Sequence, residues 1–293
     1  MEKILFVGDS ACCLRPEDIQ GKSIRVLPVT VCWGGREARE CYDLMPESYC
    51  KILRDNKEVP VTQQVTPQQY LDLYYEAIAQ GYTHIIAVTI SSTASGSAAS
   101  AVTARELLSS DLGGIMPVIE VVDSRGYSMM FGRLLLEGEV LAASGTSFAE
   151  IKDYIQDKVS RSEAILMVYT LAHMKKSGRI SGMSAFVGEA LGMRPILRAC
   201  DGMILPIDKA RGEKNVVPRM IELLKNYVAE PEKQVFYLIY CDLPAAEIDK
   251  AEQTLRDVFH PLDVLRHPIG PSVATNTGPD CLAVVYYGQK RTP

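Results

Sequence analysis

The chain has 293 residues, 47% hydrophobic and 23% charged, with a formal net charge of -5. That length buries a sizeable core in one or two domains, and the acidic balance excludes a nucleic-acid binder that relies on a broad basic surface, though not a local basic pocket. With no apolar run of the roughly 20 residues a bilayer crossing needs, and with eight cysteines lacking any CxxC spacing beside only four histidines, neither a membrane span nor a zinc site is expected, and the thiols read as reduced and mostly buried.

In chain order, Lys3–Val7 is a short apolar run ending in Gly8-Asp9-Ser10. It is too short for a signal core and reads as the first strand of a cytoplasmic protein. Ile24–Val31 reads as a second strand, placed at a sheet edge by Pro28. Thr66-Pro67-Gln68-Gln69 has the form of a capping box with proline at the first helical position. Tyr70, Leu71, Tyr74 and Ile78 follow at helical spacing, and Gly81 closes that helix. His84–Ile90 reads as a strand, followed by a small-residue stretch and a helix to about Leu108. Ile115–Val122 is a further strand, ending in Asp123-Ser124, and Ser128–Ala143 a helix rich in Met and Leu. Ser147-Phe148-Ala149-Glu150 is a second capping box. A strand at Ile165–Leu171, the small and basic segment Lys175–Ser184, strands at Val235–Cys241 and Leu282–Tyr287, and a helix at Pro244–Phe259 complete the pattern. Alternation of strand and helix predicts an α/β fold whose first sheet is mostly parallel and covered by helices on both faces. A second α/β unit begins near Ser147, with the boundary in 145–165, which gives domains 1–155 and 156–293.

Three of the first-half strands end in hydroxyls and carboxylates: Gly8-Asp9-Ser10, Ser91-Ser92 and Asp123-Ser124. In an open parallel sheet these ends meet along one edge, where ligands bind. The stretch TISSTASGSAASA, residues 89–101, is the most unusual of these exits. Its small side chains let a ligand approach the backbone, the helix behind it begins with unpaired N–H groups that suit a carboxylate or phosphate, and its serines add hydroxyl donors. Three readings stay open: tight helix-on-sheet packing, an anion site, or a serine nucleophile. The last lacks a G-x-S-x-G elbow, and His84, His173, His260 and His267 offer no base that spacing alone can name. Asp9 and Asp123 read as caps on backbone N–H groups, since two anions beside a bound anion would repel it.

Together the motifs resemble the DegV family of bacterial fatty-acid-binding proteins over almost the whole chain. The resemblance rests on Gly8-Asp9-Ser10; on Asp43 after Trp33-Gly34-Gly35; on Thr62-Gln63-Gln64-Val65-Thr66 in place of a Thr-Ser-Gln-Pro-Ser segment; and on Ser91-Ser92-Thr93-Ala94-Ser95-Gly96-Ser97 in place of Ser-Ser-x-x-Ser-Gly-Thr. Asp123-Ser124-Arg125, Lys175-Lys176-Ser177-Gly178-Arg179-Ile180-Ser181, Arg194-Pro195-Ile196-Leu197 and Lys209-Ala210-Arg211-Gly212 extend it.

The resemblance implies two α/β domains with a long-chain fatty acid in the cleft between them and no cofactor. It implies a carboxylate held by Thr62 and Ser92 with Ser91, Ser95 and Gly96 nearby, and a non-catalytic carrier that in some members presents its acid to a separate fatty acid kinase. Arg179 would compensate the head-group charge, or serve in a surface or interdomain ion pair. Where the family has His-x-Gly-Pro-Gly this chain has Asn276-Thr277-Gly278-Pro279-Asp280, and Asn276 can donate a hydrogen bond but cannot become cationic. The Pro and Ser of the Thr62 segment are also replaced, and Ser97 stands for Thr. Candidates for the tail channel are Phe186, Val187, Leu191, Met193, Ile196 and Leu197, at most of which an ordinary core role is the better reading, and Met129, Met130 and Phe131 also suit it. The alternatives are a serine-nucleophile hydrolase or acyltransferase, and a regulatory module that binds a phosphorylated ligand. Lys209, Arg211 and Lys214 form a basic cluster that reads by default as a solvated face and is available to a partner.

Overall fold

The computed structural model describes residues 2–56, 58–113, 116–169, 171–179 and 192–291. The first sheet has β1 (Ile4–Asp9) at its centre, β2 (Ile24–Leu27) at one edge, and beyond β1 the strands β6 (His84–Thr89) and β7 (Val118–Asp123), in the order β2-β1-β6-β7. Every pairing is parallel. The register sets Gly8 beside Val88 and Thr89 beside Asp123, so the strands finish along one edge as expected. Side chains of a strand alternate between faces. Leu5, Val7, Ile85 and Ala87 therefore pack with Tyr70, Tyr74, Ala101 and Leu108 of α3 (Pro67–Ala79) and α4 (Ser97–Leu112). Phe6, Ile86 and Val88 face the other way and meet Phe131, Leu134 and Leu135 of α5 (Met129–Ala143). Both capping boxes form: Thr66 accepts from the Gln69 N–H, and Ser147 from the Glu150 N–H at the start of α6 (Phe148–Val159). Helix α6 lies within the expected junction and adds Phe148, Ile151, Ile155 and Val159 to the same apolar cluster as α5.

A second sheet has six strands in the order β10-β9-β8-β13-β11-β12, antiparallel except for the last pair. These are β8 (Ser162–Val168), β9 (Met193–Cys200), β10 (Met203–Arg211), β11 (Val235–Cys241), β12 (Asp263–Pro268) and β13 (Cys281–Tyr287). One face packs Ile165, Met167, Ile196 and Phe236 against α8 (Val216–Leu224) and α9 (Ala245–Phe259). The opposite face, with Ala164, Leu166, Leu197, Ala199, Ile239, Ala283 and Val285, shares one apolar cluster with α5 and the first sheet. A third sheet has three strands, β4-β3-β5, built from β3 (Thr30–Trp33), β4 (Arg36–Arg39) and β5 (Val61–Gln63). The helix α2 (Pro46–Asp55) lies between β4 and β5 in sequence, and α7 (Ala172–Ser177) and α10 (Pro271–Thr277) complete the helices used below.

The structure corrects several expected limits. Ile24–Val31 is two strands in different sheets, because Pro28, which has no N–H to continue a ladder, stands between β2 and β3. Strand β8 begins at Ser162 and ends at Val168, earlier at both ends than Ile165–Leu171. Its polar start is buried because it is hydrogen-bonded: Ser162 Oγ donates to Met130 O at 2.8 Å, and the Glu163 carboxylate accepts from Arg198 and the Tyr286 hydroxyl. Strand β7 begins at Val118, and Ile115 lies outside the described residues. Helix α4 continues past Leu108 to Leu112 and stops at the left-handed Gly113.

Candidate functional site

The small-residue loop joins β6 to α4, and its backbone is held from several sides. Asp9 Oδ2 accepts the Ile90 N–H at 2.9 Å, and Gly126 O accepts the Ser91 N–H at 3.0 Å. Asp123 accepts both the Ser92 N–H, at 3.1 Å, and the Ser92 hydroxyl, at 2.5 Å, as well as the Arg125 N–H at 2.9 Å. Gln64 Oε1 accepts the Gly96 N–H at 2.7 Å, and a Cβ on Gly96 would lie 2.5 Å from the Gln64 amide, so this contact needs glycine. Ser95 Oγ accepts the Ser97 N–H at 3.3 Å where α4 begins. Asp9 and Asp123 thus cap backbone donors at the ends of β1 and β7. Asp9 is fully buried, and burial pushes its carboxyl up to about 7, against the Ile90 N–H and with the Glu40 charge raising it further. Glu40, buried and accepting from Ser10 Oγ at 2.6 Å and the Ser272 N–H at 3.1 Å, is raised too, again chiefly by burial.

The loop also docks on the second sheet. Thr93 Oγ1 and the Tyr127 hydroxyl both donate to Gly202 O, the latter at 2.7 Å, at the turn between β9 and β10. Arg125 pairs with Asp201 on that turn at 2.7 Å.

Between loop and sheet is a cavity of about 390 Å³, in the range of small-molecule sites. Its rim carries Thr62, Ser92, Ser95, Gly96, Arg179 and Asn276. Its floor is the inner face of the second sheet, including Ala164, Leu166, Ala199, Ile239, Ala283 and Val285. Register makes a trough of small residues: Ala164 is flanked by Ala199 on β9 and Val285 on β13, and Ala283 by Leu166 and Ile239. The rim is polar and open, with Gln64, Ser92 and Arg179 exposed. Thr62, on β5 opposite Val31, has no hydrogen-bond partner for its hydroxyl among the described residues. Arg179 donates through Nε to Ala94 O at 3.4 Å and through Nη1 to Ser177 O. Asn276 Nδ2 donates to Ser272 O at 2.8 Å within α10, leaving its carbonyl oxygen and second hydrogen for the cavity.

Six of the seven expected site residues therefore share one rim. Ser91 does not: it is fully buried behind the loop, with its hydroxyl on Thr93 Oγ1 at 2.8 Å. Of the tail candidates, Met130 is in the wall, whereas Met129 and Phe131 are fully buried in the core and Ile196 faces α8. Leu197 is buried in the shared cluster, and neither it nor Met193 lines the cavity. Phe186, Val187 and Leu191 lie outside the described residues, as do Ile180 and Ser181. The floor residues of β8, β9, β11 and β13 were missed because both faces of those strands are apolar, which erases the period-two signal.

Among the described residues no histidine lines the cavity: His173 Nδ1 contacts Thr275 O at 3.2 Å, His267 pairs with Asp18 at 3.0 Å, and His84 Nδ1 meets Thr83 Oγ1 at 2.9 Å. The residue bonded to the Ser92 hydroxyl is Asp123. No group of His, Cys, Asp and Glu among the described residues is placed to hold a metal ion, and no helix there is long and apolar enough to cross a membrane. All eight cysteines are free thiols, five of them buried.

The profile of a family described as "Uncharacterised protein, DegV family" matches residues 3–289. A DegV domain-containing protein of Caldanaerobacter subterraneus subsp. tengcongensis is 29% identical over 286 residues, 98% of this chain and 99% of that one. A solved structure described as fatty acid binding of a DegV family protein from Thermus thermophilus is 24% identical, has a TM-score of 0.85, and is matched over 98% of this chain and 100% of that one. A DegV family protein from Ruminococcus gnavus, described with vaccenic acid, gives a TM-score of 0.87 at 20% identity over 96% of this chain and 99% of that one.

Proposed function

The chain belongs to the DegV family, and from that premise we propose that it binds a long-chain fatty acid between an N-terminal unit, residues 1–155, and a C-terminal unit, residues 156–293. The observation that carries this reading is the two-part cavity: an apolar sheet face below, and a rim of hydroxyls, amide and guanidinium above. A fatty acid has the same division. Burying its tail is worth roughly 0.8 kcal/mol per CH₂, on the order of 10 kcal/mol gross for a long chain, and the losses of association leave a tight complex. The charged end needs partners. Thr62 has a hydroxyl hydrogen to give, Asn276 an amide hydrogen, and Arg179 a positive charge; Ser92 stands beside them with its own hydrogen on Asp123. The fatty acids held by the structural neighbours support the same reading.

The protein is a carrier in this reading. A serine nucleophile needs a base, and Ser92 has a carboxylate that holds its hydrogen where a histidine would withdraw it. The open rim lets a fatty acid kinase reach the carboxyl end while the tail stays buried. Native followed by denaturing mass spectrometry of the purified protein tests the proposal. One long-chain fatty acid per chain, released on denaturation, is the expected result. An empty protein that fails to take up oleate or palmitate, and that is stabilised by phosphorylated small molecules in a thermal-shift panel, refutes it.

A further inference from the structure

The Ser92 hydroxyl has one hydrogen, and the structure shows where it points. Asp123 takes it across 2.5 Å and also takes the Ser92 N–H across 3.1 Å, so the carboxylate grips both donors of this residue. Ser92 therefore turns lone pairs toward the cavity it lines. A fatty acid carboxylate is an acceptor only, and it cannot hydrogen-bond to an oxygen that also only accepts. If the hydroxyl turns to the ligand, Asp123 loses its strongest donor and two carboxylates stand on either side of one oxygen atom. Two carboxylates that share a site disfavour each other's charge, and the affinity of the pair for a proton rises.

Resting on the fatty-acid reading above, we propose that binding of the anion is coupled to uptake of one proton, held between the ligand carboxylate and Asp123 across the Ser92 hydroxyl. The balance is simple: a fatty acid anion and one proton enter, no bond to carbon is made or broken, and the site gains no net charge. Asp123 is thus a positioning residue that decides the direction of the Ser92 hydrogen.

With Arg179 serving the ligand carboxylate, the groups around Asp123 leave the proton to offset the second negative charge. Arg125, on the same turn, gives its guanidinium to Asp201. The Tyr127 hydroxyl donates to Gly202 O, and burial keeps it neutral through the physiological range. Arg179, the cation of the rim, rests on Ala94 O and Ser177 O on the cavity side of the loop.

Isothermal titration of the delipidated protein with oleate, in two buffers of different ionisation enthalpy between pH 7 and 9, counts the protons. The expected result is an uptake of about one proton per oleate and a Kd that weakens about tenfold per pH unit, with no uptake for oleyl alcohol, which has the tail without the carboxylate. Asp123→Asn carries no charge: its oxygen stays on the Ser92 and Arg125 N–H groups, its amide donates to the Ser92 oxygen and frees the Ser92 hydrogen for the ligand, and its uptake should fall close to zero with a flat Kd. Tight oleate binding by the wild-type protein without proton uptake overturns the proposal, as does undiminished uptake in Asp123→Asn. Absence of oleate binding at every pH removes the fatty-acid reading itself, and the proposal with it.

Discussion

Ala164→Leu tests the floor of the cavity directly. Ala164 sits in the middle of the second sheet with Ala199 on one side and Val285 on the other, and all three side chains face the cavity. Leucine adds three carbons that project into the space assigned to the tail. At roughly 0.8 kcal/mol per methylene, displacing three of them costs about 2.4 kcal/mol, or roughly 50-fold in Kd at 1.4 kcal/mol per decade. A buried small-to-large change in a filled core would cost about 1–3 kcal/mol of stability. Here the added carbons enter an existing space, so the ligand-free protein should keep its melting temperature. The assay is displacement of a fluorescent fatty acid by saturated acids of 10 to 18 carbons, with thermal melts of the delipidated protein alongside. Palmitate and stearate should lose about 50-fold, and a ten-carbon acid, too short to fill the trough, much less. Equal loss at every chain length, or no loss with an unchanged melt, would show that the tail does not cross Ala164.

Other substitutions address the rim and the strand ends. Thr62→Val removes a hydroxyl that has no partner among the described residues, so the fold should be indifferent while fatty acid affinity falls by about 1.5–3 kcal/mol, the worth of a hydrogen bond to a charged group; an unchanged dissociation rate would take Thr62 out of the head-group site. Gly96→Ala pushes its methyl into the Gln64 amide, which is exposed and can swing away. The cost in stability should stay below about 1.5 kcal/mol, the value of the lost bond, and urea titration would reveal a larger one. For Asp9, whose carboxyl is raised to about 7 in the folded chain from the ordinary aspartate value of 3.8, the folded state binds more protons than the unfolded one between those limits. Its contribution is therefore complete below about pH 4 and is lost as pH rises through about 7, on the order of 4 kcal/mol in all. Against wild type, Asp9→Asn should gain relative stability from pH 4 to pH 7.5 in urea unfolding, and a constant difference would contradict the assignment.

The first sheet was legible because parallel strands ending in polar residues carry their own punctuation: Asp9, Ser91-Ser92 and Asp123 each follow an apolar run, and each does stand at the shared edge. The rim followed, since loops joining those ends must meet. What sequence could not decide was orientation. Ser91 and Ser92 are adjacent and chemically equal, yet the Ser91 N–H is drawn to Gly126 O and its side chain is buried, while Ser92 faces outward. Ile196 and Leu197 are likewise adjacent on β9 and project to opposite faces, which in a strand apolar on both sides no periodicity reveals. The hairpin of β3 and β4 does carry a local signal: Gly34 and Gly35 have φ of 51° and 74°, the left-handed pair that a two-residue hairpin requires.

The floor of the cavity belongs to the same apolar cluster that joins the two sheets. A tail lying there would be more than cargo, since it would complete an interior that the polypeptide leaves partly unfilled. Anything that binds only the native state shifts the folding equilibrium by mass action, and cellular proteases act on the unfolded fraction. The lifetime of this protein in a cell would then follow the supply of its lipid: chains without a ligand would be cleared sooner, and the abundance of the carrier would itself report how much there is to carry.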